Sequence, residues 1–173
     1  MTYLSVVIPV YKGEDCLHEL YRRVKESLEK ITEDFEVILV EDCGGDRSWD
    51  VIVEISQSDK HVKGIQLSRN FGQHNALLCG IRVVQGEIIV TMDDDLQYPP
   101  EEIPKLLDKL AEGYDVVYGT PMKEQHGLWR DISSKVTKLA MQIAMEVETA
   151  RIANAFRAFR TGKEFITPSW SAG

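Results

Sequence analysis

Three consecutive carboxylates, Asp93, Asp94 and Asp95, close the stretch Glu87-Ile88-Ile89-Val90-Thr91-Met92-Asp93-Asp94-Asp95-Leu96-Gln97. Adjacent acids repel one another, so something must offset the repulsion. A hard divalent cation such as Mg²⁺ or Mn²⁺ does so through carboxylate oxygens and substrate phosphates. A solvated acidic turn is the plainer alternative. The apolar run ahead of the acids reads as a central strand of a parallel sheet. Ligands of open α/β sheets sit outside the carboxyl ends of such strands. The acids therefore fall where a ligand would be held. Tyr11, after an earlier strand, suits stacking on a nucleobase, and Asp42, after the next, suits a hydrogen bond from a base N–H. Asp93 and Asp95 would hold a metal against a diphosphate, with Arg130 and Lys123 answering the remaining phosphate charge. Such a set describes a nucleotide-sugar site. Each member also has a plainer reading: Tyr11 capping the sheet, Asp42 forming a turn, Arg130 lying solvated on a helix.

The elements that must position these side chains alternate. Strands are expected at Leu4 to Val10, Phe35 to Val40, Val62 to Leu67, Glu87 onward, and Asp115 to Tyr118. Between them, Asp15 to Ile31 carries Leu17, Leu20, Tyr21, Val24, Leu28 and Ile31 on one helical face. Ser48 to Ser58 is a short helix. Gln73 to Val84 is another, with Leu77, Leu78 and Ile81 inward and Gly86 as its terminator. Pro99-Pro100-Glu101-Glu102 reads as a helix start, proline and acids both suiting the first turn. Ile103, Leu106, Leu107 and Leu110 line that helix and Gly113 closes it. Leu128 to Val147 predicts a longer helix. The alternation implies an α/β fold, a doubly wound and mostly parallel sheet flanked by helices. One domain is expected over residues 1–162, with a tail from 163 to 173.

The 173 residues are enough for one domain with a real core. Hydrophobic content of 43% and charged content of 28% are ordinary for a globular chain. A formal net charge of −8 argues against a nucleic-acid partner, which wants a basic face. Cys16, Cys43 and Cys79 form no zinc pattern and read as small buried or half-buried residues in a reducing compartment. No leader is expected before Leu4, and no apolar run approaches the ~20 residues that span a bilayer. The first strand exits into Pro9-Val10-Tyr11-Lys12-Gly13 rather than G-x-G-x-x-G, which disfavours a dinucleotide dehydrogenase. Neither a phosphate-loop GK[ST] motif nor a G-x-S-x-G elbow is present.

Six motifs in order carry a resemblance: SVVIPVY (Ser5 to Tyr11), VEDCGGD (Val40 to Asp46), LSRNFGQHNALLCGI (Leu67 to Ile81), DDDLQYPPE (Asp93 to Glu101), GYDVVYGT (Gly113 to Thr120) and FRAFR (Phe156 to Arg160). The chain resembles the family-2 inverting glycosyltransferases of GT-A fold, and within them the polyprenyl-phosphate glycosyltransferases. The resemblance implies a hexosyl-type transferase that moves sugar from a UDP- or GDP-linked donor to a lipid phosphate, with Mg²⁺ or Mn²⁺. It implies that Pro9, Val10 and Tyr11 border the base pocket, that Asp42 recognises the base, and that Asp93, Asp95 and Gln97 form the metal shell beside Asp94. Arg130 and Ser134 match a phosphate-contacting pair. Asp95 and Arg130 are the implied catalytic residues. Arg69, Asn70 and Gly72 belong to a loop read as support for the donor site. It also implies a cytoplasmic enzyme at the inner membrane face, as a homo-oligomer. The chain departs from the pattern at Gly13, where many members have glutamate and Glu14 is adjacent. It departs again at Gly45, Tyr98, Pro121 and Ala155, the last standing where relatives carry a candidate base. The departures at Gly13, Pro121 and Ala155 support a rival expectation, a catalytically impaired nucleotide-sugar-binding module.

Overall fold

The computed structural model describes residues 3–119 and 156–161. These belong to one compact unit, and the expected helix at 128–147 and the tail at 163–173 lie outside them. Strand β1 (Leu4–Val10) is buried at every position, as is β2 (Phe35–Glu41). A strand without polar alternation must be covered on both faces, which is why these runs sit mid-sheet. Strands β3 (Val62–Gln66), β4 (Ile88–Thr91), β5 (Val116–Tyr118) and β6 (Arg157–Arg160) complete a six-stranded sheet of order β3-β2-β1-β4-β6-β5. The pairs β1–β2, β1–β4 and β2–β3 are parallel, while β4–β6 and β5–β6 are antiparallel.

Helices α1 (Leu17–Leu28), α2 (Ser48–Ser58), α3 (Gln73–Ile81) and α4 (Ile103–Ala111) cover the two faces. Strand side chains alternate between them. Val6, Ile8 and Val10 meet Leu17, Leu20 and Val24 of α1, Ile52 of α2 and Leu106 of α4 in the larger core. Val7, Ile38, Val40 and Ile89 meet Ala76 and Leu77 of α3 in the smaller one. Gly80 lets α3 press onto the sheet, since a Cβ there would stand 2.4 Å from Val7 Cγ1. Helix α4 starts through a single 3-10 turn, Pro100–Glu102, as the two prolines predict.

Three expectations about α3 and its exit need correction. Helix α3 stops at Ile81, because the β-branched pair Val83-Val84 favours the turn in which Val83 N–H bonds Gly80 C=O. Gly86 is therefore not its terminator. A Cβ at Gly86 would lie 2.6 Å from Ser5 Oγ and 2.8 Å from Ser5 N, so the glycine is needed for close passage beside β1. Leu78 points outward, 46% exposed. The motif Phe156 to Arg160 supplies a strand, β6, which slots antiparallel between β4 and β5. Val116 and Tyr118 consequently sit on an exposed edge. Among the described residues no helix is long and apolar enough to cross a membrane.

Candidate functional site

The strand order reverses between β1 and β4, and ligand crevices of doubly wound sheets open at such points. A cavity of about 350 Å³ lies there. Its walls are the strand exits: Pro9 and Val10 ending β1 with Tyr11 just after it, Asp42 after β2, Asn70 and Gly72 after β3, and Asp93 to Asp95 after β4, with Gln73 opening α3. Three of these exits turn on non-glycine residues with left-handed backbone: Lys12 (φ 56°), Cys43 (φ 54°) and Leu96 (φ 58°). Such conformations cost of order 1–3 kcal/mol each and concentrate at functional sites. Cys43 is exposed at its turn, contrary to the buried or half-buried expectation.

The three aspartates differ. Asp93 and Asp94 are half-buried and Asp95 is exposed. Burial, then the charges of Asp95 and Asp94, push the Asp93 carboxyl above the ordinary range, against a hydrogen bond donated by Gln73 Nε2. Burial also pushes Asp94 up, opposed by the Tyr11 N–H that donates to Asp94 Oδ2 at 3.1 Å. Asp95 Oδ1 accepts the Gln97 N–H at 3.0 Å. Among the described residues none of the three forms an ion pair. Tyr98 stacks on Phe156 with centroids 5.2 Å apart, tying the acidic loop to the start of β6. A Cβ at Gly13 would come within 3.1 Å of Asp94 Oδ2 and 3.2 Å of Val10 Cγ1, so a side chain there needs those two neighbours to give by a few tenths of an ångström.

Asp42 is 3% exposed, and both its oxygens hold backbone: Oδ1 accepts Phe71 N–H at 2.7 Å and Oδ2 accepts Gly72 N–H at 2.8 Å. A carboxylate has about four acceptor sites, so capacity toward the cavity remains. Gly72 takes φ +86°, which L side chains rarely adopt, just ahead of α3.

The structure thus brings Pro9, Val10, Tyr11, Asp42, Asp93, Asp94 and Asp95 to one cavity. It does not bring all expected residues there. Glu14 Oε2 accepts the Arg47 N–H at 2.6 Å, and its own N–H reaches Asp46 Oδ2 at 3.3 Å, so Glu14 laces the first two exit loops together outside the cavity wall. Arg69 lies over the Phe71 ring, 4.7 Å from its centroid, and Gln97 contributes its backbone N–H; neither lines the cavity. Lys123, Arg130 and Ser134 lie outside the described residues. Gln73 had no assigned part; a polar residue opening a helix directly after a strand-exit glycine was its only signal.

Among the described residues no group of three or more His, Cys, Asp or Glu side chains is arranged to hold a metal by itself. Mg²⁺ and Mn²⁺ do not require one. One or two carboxylates suffice where phosphates and water complete the shell. Half-buried acids raised by burial, with the charges of their acidic neighbours adding to it, are the complement of such an ion, so the residues fit it.

The sequence matches the family described as Glycosyl transferase family 2 over residues 5–166. The chain belongs to that family, with the α/β GT-A fold. It is 43% identical over 140 residues, 80% of its length, to an undecaprenyl-phosphate 4-deoxy-4-formamido-L-arabinose transferase of Salmonella choleraesuis (strain SC-B67), and spans 43% of that relative. Two solved structures share the fold. The mannosyltransferase PcManGT from Pyrobaculum calidifontis, in complex with GDP-Man and Mn²⁺, matches with TM-score 0.65 and 17% identity, over 91% of this chain and 44% of that one. S. aureus TarS 1-349, in complex with UDP-GlcNAc, matches with TM-score 0.57 and 23% identity, over 71% of this chain and 39% of that one.

Proposed function

We propose that the cavity binds a nucleoside-diphosphate sugar and that the protein transfers the sugar, with inversion, to a polyprenyl phosphate. One observation carries the reading: unneutralised aspartates on the wall of a cavity at the sheet's switch point. Tyr11, 49% exposed at the rim, offers its ring to the base, and the spare lone pairs of Asp42 offer it an acceptor. Asp93 and Asp95 are the residues to hold the divalent ion, which when bound supplies Lewis-acid stabilisation of charge on the leaving diphosphate. Arg130, Lys123 and Ser134 answer phosphate charge from the sequence beyond the described residues.

The acceptor phosphate needs little help from a base. Its second pKa is about 6, so it is mostly dianionic at neutral pH. An acceptor oxygen forms the new bond to the anomeric carbon as the bond to the nucleoside diphosphate breaks, and the electron pair leaves with the diphosphate. Alanine at position 155 is compatible with that chemistry, whereas an alcohol acceptor would want the missing acid. A lipid acceptor would set the domain to work at a membrane surface. Support for it is the name of the Salmonella relative, which also puts a pentose derivative beside the hexose implied by the motifs.

Calorimetry with UDP and with GDP, each with and without Mn²⁺, tests the donor site. Wild type should bind one nucleotide more tightly with Mn²⁺, and Asp95→Ala should lose that gain; equal gain in the variant would remove Asp95 from the metal shell. Transfer to a short polyprenyl phosphate from pentose and hexose donors then tests turnover. Nucleotide binding without turnover would favour the binding-module reading that Ala155 supports.

A further inference from the structure

The third exit loop is built as a strut. Asp42 fixes the N–H groups of Phe71 and Gly72 at 2.7 and 2.8 Å, and Asn75 Nδ2 donates to Phe71 C=O at 2.7 Å. Ala76, Leu77 and Gly80 then seat α3 on the sheet, with Gly80 against Val7. The first residue of that anchored helix is Gln73, whose amide Nε2 donates to Asp93 Oδ1. We infer that Gln73 is a positioning residue, holding the Asp93 carboxylate in register for a divalent cation; the inference rests on the donor-site reading above.

The argument turns on the type of partner. Unrestrained, Asp93 would rotate to relieve repulsion from Asp94 and Asp95. A single hydrogen bond from a fixed helix end suppresses that rotation. Because the donor is a neutral amide, it orients the acid without cancelling its charge, as a lysine would. One oxygen is engaged and the other is left to bind. Outer partners of ligating carboxylates act in this way, and losing one typically weakens metal binding 10–100-fold.

The test uses Gln73→Leu and Gln73→Lys in the full chain, with melting curves to establish folding. The readout is the gain in UDP or GDP affinity on adding Mn²⁺ relative to EDTA, a ratio that a purely structural role would leave unmoved. Gln73→Leu should cut the gain about tenfold, whatever the change in nucleotide affinity in EDTA. Gln73→Lys should cut it further while raising the metal-free melting temperature, because the ammonium would pair with Asp93. An undiminished gain in Gln73→Leu overturns the inference alone; if that variant does not fold, an undiminished gain in Gln73→Lys overturns it. A wild-type protein with no Mn²⁺-dependent gain for either nucleotide removes the donor-site reading as well.

Discussion

Glu36, at the amino end of β2, and Asp93, beyond the carboxyl end of β4, are carboxylates at opposite strand-end edges of one sheet, the amino-end edge and the carboxyl-end edge. Glu36 accepts from Ser5 Oγ at 2.6 Å, from Lys63 Nζ at 2.7 Å and from the Gln85 N–H at 2.6 Å. Burial raises its pKa, but those donors outweigh it and hold the group below the ordinary range. Asp59, on the same edge, is likewise held down against burial by Lys25, Tyr21 and His61. Asp93 is half-buried with two acidic neighbours and one neutral donor, and burial followed by those charges holds it above the ordinary range. One edge satisfies its charges and stabilises the fold. The other keeps its charges unsatisfied, as the proposed donor site would require.

The sharpest way to break that contrast is at the satisfied edge. Glu36→Ala would take the acceptor from the buried Ser5 hydroxyl and from the part-buried Gln85 N–H, and should cost about 2–3 kcal/mol in urea unfolding. Nucleotide affinity per folded molecule should be unchanged. The opposite sign is expected across the sheet. Asp93→Asn keeps an oxygen for Gln73 but removes one repelling charge, and should raise metal-free stability by about 1 kcal/mol while losing the Mn²⁺ gain. A destabilised Asp93→Asn would mean the acids are not in conflict.

Acid titration sharpens the contrast most gently. Glu36 has its folded pKa below its unfolded value of about 4.3, so its contribution is complete above that pH and is lost as pH falls through the folded value. Asp59 behaves the same way below about 3.9. In Glu36→Gln, the decline of the urea midpoint below pH 4.3 should be shallower, by a fraction of the about 1.4 kcal/mol per pH unit that one proton carries.

Local periodicity sufficed for the parallel half of the sheet. The run Leu4 to Val10 and the helix Ser48 to Ser58 stand where the pattern puts them, because burial on both faces and amphipathic spacing are properties of the segment itself. β6 was not legible as a strand. Four residues, two of them arginine, have no strand signature without β4 and β5 on either side. In the site, the acids were visible as a run of like charge. The turns at Lys12, Cys43 and Leu96 were not, since none is the glycine or asparagine that usually marks left-handed backbone. Nor was the clamp from Asp42 to Phe71 and Gly72, which joins loops that only the finished sheet brings together. Gln73 was hidden for the same reason.

Placing β6 between β4 and β5 has a consequence for biosynthesis. Ile88 is paired to Arg160 and Thr91 to Arg157, so one flank of β4 stays bare on the ribosome long after the other flank has met β1. Until Phe156 to Arg160 emerges from the exit tunnel, the nascent chain presents an open row of backbone amides and carbonyls next to the aspartates, a target for chaperones and for mispairing with neighbouring chains.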